Sequence, residues 1–76
     1  TPSQVMGSRE EIERLETAID ALPDDQREAL ILVRYEGMSM AEAGVEMGRS
    51  PDAVRMLVSR AIVKLGQSLG ASDVMA

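Results

Sequence analysis

The residues best equipped for chemistry in this 76-residue chain lie between Gly48 and Lys64. Arg55, Arg60 and Lys64 follow one another with no acid between them. Asp52, Arg55, Met56, Ser59 and Arg60 recur at steps of three, one, three and one, which is the spacing of one helix face. Arginine carries a planar fork of N–H donors that fits the O6 and N7 acceptors of guanine, and equally a phosphate. Ser59 donates or accepts. Asp52 is able to accept from a cytosine amine, although beside phosphates a carboxylate is an electrostatic cost. The chemistry on offer is hydrogen bonding to a nucleic-acid duplex, not bond making. A solvated helix face is the competing reading, and the choice between them rests on what positions these side chains.

Other chemistry is excluded or weak. With no cysteine and no histidine, the chain has no disulfide, thiolate zinc site, imidazole ligand or His- or Cys-based catalysis. Glu10, Glu11, Glu13, Glu16 and Asp20 are interleaved with Arg9 and Arg14, so they read as a solvated face rather than a metal or acid–base cluster. Asp24-Asp25 lacks the calcium-loop spacing and reads as helix-capping acid. No nucleophile–base pair and no phosphate-cradling glycine loop is present. The expectation is a protein that is not an enzyme and needs no cofactor or metal.

The net charge of −5 at first argues against a polyanion partner, but it is unevenly spread. Residues 1–38 carry all of that excess, with nine acids against four arginines, whereas residues 39–76 are balanced. A high-affinity, sequence-blind polyanion binder is therefore not expected, and a small local basic face is.

The elements that must hold this face are set by composition and punctuation. The length allows one domain. Apolar residues make up 45% of it, yet there is no Phe or Trp and a single tyrosine, Tyr35, so the core is built from Leu, Ile, Val, Ala and six methionines. So short a chain buries only about 60% of its unfolded surface and is of modest stability or partner-dependent. Ala29 to Val33 is the longest apolar run, far below the roughly 20 residues that span a bilayer. No signal-peptide pattern occurs. A soluble, cytoplasmic domain without membrane attachment is expected, and a start at Thr1 rather than Met marks it as a piece of something longer.

Four helices are expected, at about 9–21, 24–36, 39–47 and 51–69, within a domain spanning 8–70, with a disordered lead-in at 1–7 and a tail at 71–76. Ser8 and Glu11 have capping-box spacing, and Ile12, Leu15, Ile19 and Leu22 form the inward stripe behind them. Pro23 ends this helix and opens the next at its first position, with Asp24, Asp25 and Glu28 at the favourable end of the dipole. The second helix is apolar around most of its circumference, which makes it the expected central one, and Gly37 closes it. Ser39 and Glu42 repeat the capping box before a short third helix, whose stripe is Met40, Ala43, Gly44 and Met47. Its two small residues let a neighbour come close. Gly48 stops it, and Ser50-Pro51-Asp52 starts the fourth helix sharply. The fourth helix buries Val54, Val58, Ala61, Leu65 and Leu69, with Gly70 as its stop.

A short helix, a three-residue turn and a longer, sharply capped helix describe a helix-turn-helix. In that arrangement the outward N-terminal residues of the second helix meet base edges in the major groove. Arg55 and Arg60 fall on the face opposite the core stripe, which favours groove binding over the solvated-face reading.

The ordered set Leu22-Pro23, Arg27-Glu28-Ala29-Leu30, Tyr35-Glu36-Gly37-Met38-Ser39, Met47-Gly48-Arg49-Ser50, Ala53-Val54-Arg55 and Ser59-Arg60-Ala61 with Leu65 resembles region 4 of a bacterial RNA polymerase sigma factor, of the extracytoplasmic-function type. The resemblance covers about Ile12 to Leu69. It implies an all-α, four-helix domain containing a helix-turn-helix, winged-helix-like in layout, that reads the promoter −35 element and docks on the β flap of the polymerase core. By the same resemblance, Arg55, Met56, Ser59 and Arg60 occupy positions that contact bases and backbone. Lys64 extends the basic face, and Arg49 and Ser50 approach phosphates at the helix entrance.

The chain departs from the usual pattern with Met56-Leu57 where many members have Ser-Arg, and with Ile62 and Val63 where they have further basic residues. Helix three has Ala43 and Gly44 where a larger aliphatic and Ala are commoner. Roughly three to five cationic contacts make for weak binding that fades at physiological salt, and tethering by polymerase supplies what is missing. A second reading is a protein-interaction module of the same fold. It would use Met56, Leu57, Ile62 and Val63 to bind an anti-sigma factor, the flap or another copy of itself. A generic helix-turn-helix regulator, such as the DNA-binding end of a response regulator, is the minor alternative.

Overall fold

Caps and glycines set the helix ends, and the computed structural model, which describes residues 9–69, places them accordingly. The Ser8 cap, the Gly70 stop, the lead-in 1–7 and the tail 71–76 lie outside the described residues. Helix α1 spans Arg9–Asp20, α2 Asp24–Leu30, α3 Met40–Met47 and α4 Pro51–Ser68, with no strand among the described residues. Pro23 is the N-cap of α2 (φ −55°, ψ 149°) rather than its first helical residue. Its carbonyl accepts from Arg27 N–H at 2.9 Å, so the extended ψ already belongs to the turn.

Helix α2 does not finish as an α-helix. Ile31–Tyr35 forms a π-helical turn, in which Glu36 N–H reaches back five residues to the Ile31 carbonyl at 2.9 Å. Gly37 then takes the left-handed conformation (φ 75°), and Met38 N–H donates to the Leu32 carbonyl at 2.9 Å. Only a residue without a Cβ enters that region at little cost. The last carbonyls of the helix are thereby satisfied by backbone before α3 begins.

The hub is α4, not α2. All three other helices pack on α4, and α2 and α3 flank it. Its stripe of Val54, Leu57, Val58 and Ala61 is buried among Ile19, Leu22, Ala29, Leu30, Leu32 and Ala43, with Leu15, Met40, Met47 and Leu65 packed at the margin. The continuous apolar run of α2 pointed to that helix as the centre. The longer α4, with its small Val and Ala side chains, is the one that neighbours approach from several sides. Ile12, expected in the core, is 48% exposed. Leu15, one turn further on, is the first α1 side chain packed against the cluster.

Candidate nucleic-acid interface

The geometry of the candidate interface begins in the α3–α4 turn. Gly48 is left-handed (φ 70°), and Arg49 N–H returns to the Gly44 carbonyl at 2.8 Å. Ser50 sits in extended conformation with its Oγ accepting from Ala53 N–H at 3.0 Å, and Pro51 occupies the first helical position. On the other side of the turn, Ser39 and Glu42 form a complete capping box at the start of α3. Gly44 is where the two helices meet most closely. A Cβ there would collide with the backbone carbonyl oxygen of Arg49, and Pro51 N also lies within contact range. The small-residue stripe of α3 thus admits the turn itself, which fixes α4 relative to α3.

With its inner side packed, α4 turns Asp52, Arg55, Met56, Ser59, Arg60 and Lys64 to solvent. The Arg55 side chain is 63% exposed and pairs with Asp52 one turn earlier, Nη2 to Oδ1 at 3.3 Å. Arg55 and Arg60 are both exposed and stand outside the core cluster, so this face presents two guanidinium groups outward. Arg49 is engaged differently: it reaches across to Asp25 in the first turn of α2, at 3.6 Å. A phosphate at the helix entrance would compete with that carboxylate. Ser50 uses an oxygen lone pair for its cap, and its hydroxyl proton remains to donate.

Leu57 is the site residue that the structure moves. Expected on an exposed apolar patch, it is only 7% exposed and belongs to the core. It lies three residues after Val54 and four before Ala61, so it widens the buried arc once α2 and α3 both flank α4. Met56, Ile62 and Val63 do remain exposed, at 50%, 41% and 58%.

Two further residues matter here that the sequence pattern does not single out. Gln26, in the first turn of α2, borders an open groove of about 370 Å³ together with Ser59, Arg60, Val63, Lys64 and Gln67. Its Oε1 is buried and accepts no hydrogen bond among the described residues. No periodicity in the sequence ties position 26 to α4. Arg27 closes the α1–α2 turn, donating through Nη1 to the carbonyls of Asp20 and Leu22, each at 3.0 Å, and through Nη2 to Asp24 at 2.6 Å. The Asp24/Arg27 spacing is a visible signal for the last of these contacts only. Among the described residues no group of three or more acids is placed to hold a metal ion, and no helix is long and apolar enough to cross a membrane.

Comparison with known proteins agrees with this architecture. The family model for sigma-70, region 4, matches residues 12–65. The chain is 42% identical over 66 residues to the ECF RNA polymerase sigma factor EcfG of Rhodopseudomonas palustris, covering 83% of this chain and 36% of that protein. It is 42% identical over 53 residues to the RNA polymerase sigma factor CarQ of Myxococcus xanthus, covering 70% and 30%. It is 34% identical over 73 residues to the RNA polymerase sigma factor NccH of Alcaligenes xylosoxydans, covering 96% and 39%. The chain therefore spans between about a third and two-fifths of the length of these relatives. No solved structure matches it significantly. The match extends from α1 through the helix-turn-helix to Leu65, and the chain belongs to the sigma-70 region 4 family, in its extracytoplasmic-function branch.

Proposed function

We propose that this domain binds promoter DNA by laying α4 in the major groove at the −35 element while docked on the β flap of RNA polymerase core, and that it contributes recognition rather than catalysis to transcription initiation. The observation that carries this reading is the division of α4 into a packed apolar side and an outward side bearing Arg55 and Arg60. Arg55, Met56, Ser59 and Arg60 meet base edges and backbone, Lys64 extends the phosphate contact, and Arg49 and Ser50 hold the phosphate at the helix entrance. The domain works in the cytoplasm, where the polymerase is. Two of its cations already face carboxylates, Arg49 that of Asp25 and Arg55 that of Asp52. Unaided affinity is therefore low, and tethering by polymerase raises the effective concentration at the promoter.

Titration of the sigma–polymerase complex against a promoter fragment at low salt tests the reading. Arg55→Ala and Arg60→Ala each weaken binding by about 1–3 kcal/mol if they pair with bases, or reduce the salt slope by about 1 if they pair with phosphate. Unchanged binding for both variants defeats the assignment of this face.

The exposed Met56, Ile62 and Val63 favour a second use of the same helix, as a surface for a protein partner such as an anti-sigma factor or a further copy. Solution mass at micromolar concentration, for the chain and for Met56→Asp and Val63→Asp, separates the two. Leu57→Asp does not serve, because it buries a charge in the core.

A further inference from the structure

Asp52 is out of place on a surface meant for phosphates. It lies in the first turn of α4, at the end of the helix that meets base edges, and its side chain is 85% exposed. A helix dipole favours an acid there, yet the carboxylate also holds Arg55, three residues on, at 3.3 Å. The contact uses one carboxylate oxygen, Oδ1, and one nitrogen, Nη2. Arginine carries five N–H donors in a rigid fork, so the greater part of the Arg55 guanidinium stays available. The Oδ2 oxygen of Asp52 has no hydrogen bond among the described residues. An ion pair between two exposed groups is weak and does not withhold Arg55 from DNA. The Arg49–Asp25 pair is of another kind, since it links two elements and has both side chains less than half exposed.

We propose that Asp52 and Arg55 form one reading unit: Arg55 donates to the O6/N7 edge of a guanine, and Asp52 steadies the guanidinium through Oδ1 while Oδ2 accepts from the exocyclic amine of a neighbouring cytosine or adenine. This rests on the reading of α4 as the helix in the groove. The major-groove edges of cytosine and adenine carry an amine, whereas guanine and thymine present a carbonyl oxygen at the corresponding place. A carboxylate facing a carbonyl oxygen is repelled and left unpaired, so Asp52 acts mainly by rejecting guanine and thymine at one base position. Its electrostatic cost near phosphates is then the source of discrimination.

The test is selection of bound duplexes from a randomised pool by the sigma–polymerase complex, followed by anisotropy titration of single-base variants. Wild type, Asp52→Ala, Asp52→Asn and Arg55→Ala are compared, with circular dichroism to show that each variant remains helical. The expected result for Asp52→Ala is a gain of about five- to tenfold for duplexes with guanine or thymine at a single position, without a matching gain elsewhere. Asp52→Asn shifts the preference at that position toward adenine, which asparagine reads through N6 and N7. Arg55→Ala flattens the preference for guanine at an adjacent position. A uniform gain for every duplex with Asp52→Ala makes Asp52 a simple repulsive charge and overturns the unit, as does an unchanged preference. In either case a loss of binding by Arg55→Ala leaves the groove-binding reading standing. If neither Arg55→Ala nor Arg60→Ala alters the binding of any duplex, that reading falls and the unit with it.

Discussion

The two turns that bracket the molecule are closed by different means. The α1–α2 turn is held by a side chain, with the guanidinium of Arg27 bonded to the carbonyls of Asp20 and Leu22 and to the carboxylate of Asp24. The α3–α4 turn is held by the backbone, through left-handed Gly48, the Arg49-to-Gly44 bond and the close approach at Gly44, with Ser50 capping α4. A side-chain clasp gives way gradually, because a long flexible chain finds second-best partners and water replaces what is lost. A backbone junction has no such reserve. The tighter junction is the one that orients the proposed reading helix, whose contacts with base edges tolerate little error in angle.

Gly44→Ala is the strongest way to break this comparison. The added methyl meets backbone rather than the far end of a side chain, so α3 and α4 must separate, at a cost of about 3 kcal/mol. At about 4–8 °C per kcal/mol for a domain of this size, the melting temperature falls by roughly 12–24 °C in thermal unfolding followed by circular dichroism. Arg27→Met, which keeps the aliphatic stem and removes the donors, is expected to cost about 1.5 kcal/mol by the same measurement. If it proves the more damaging of the two, the ranking of backbone over side chain is wrong. Ser50→Ala removes the α4 cap and costs about 1 kcal/mol, while Ser39→Ala, which removes the corresponding cap of α3, costs about the same. The pair sharpens the comparison through DNA binding: only the Ser50 change, next to the α3–α4 junction, is expected to weaken promoter binding as well as stability.

Much of this frame was legible in the residues. Ser39 with Glu42, and Ser50 with Pro51, announce helix starts because their side chains supply what the first backbone N–H groups lack, and that chemistry is local. Gly37 and Gly48 announce ends for an equally local reason, the left-handed backbone. The features that could not be read depend on neighbours. Leu57 lies inside because α4 is flanked on two sides, and a single-stripe pattern underestimates so wide a buried arc. Ile12 continues the α1 stripe faithfully yet lies one turn before the point where that helix joins the core. In the candidate interface, the outward placement of Arg55, Ser59, Arg60 and Lys64 is a consequence of helical period alone. The Arg49–Asp25 pair and the groove beside Gln26 join segments far apart in the chain, and no local spacing signals them.

The π-helical turn at Ile31–Tyr35 has a bearing on how chains of this type can differ in length. Removing a residue from an ordinary helix rotates everything after it by about 100°. A π turn is an α turn holding one residue too many, so a deletion inside this stretch would restore the common period and leave both flanking segments in phase. Single-residue length variation among kindred sequences should therefore gather between positions 31 and 35, where the scaffold can absorb it.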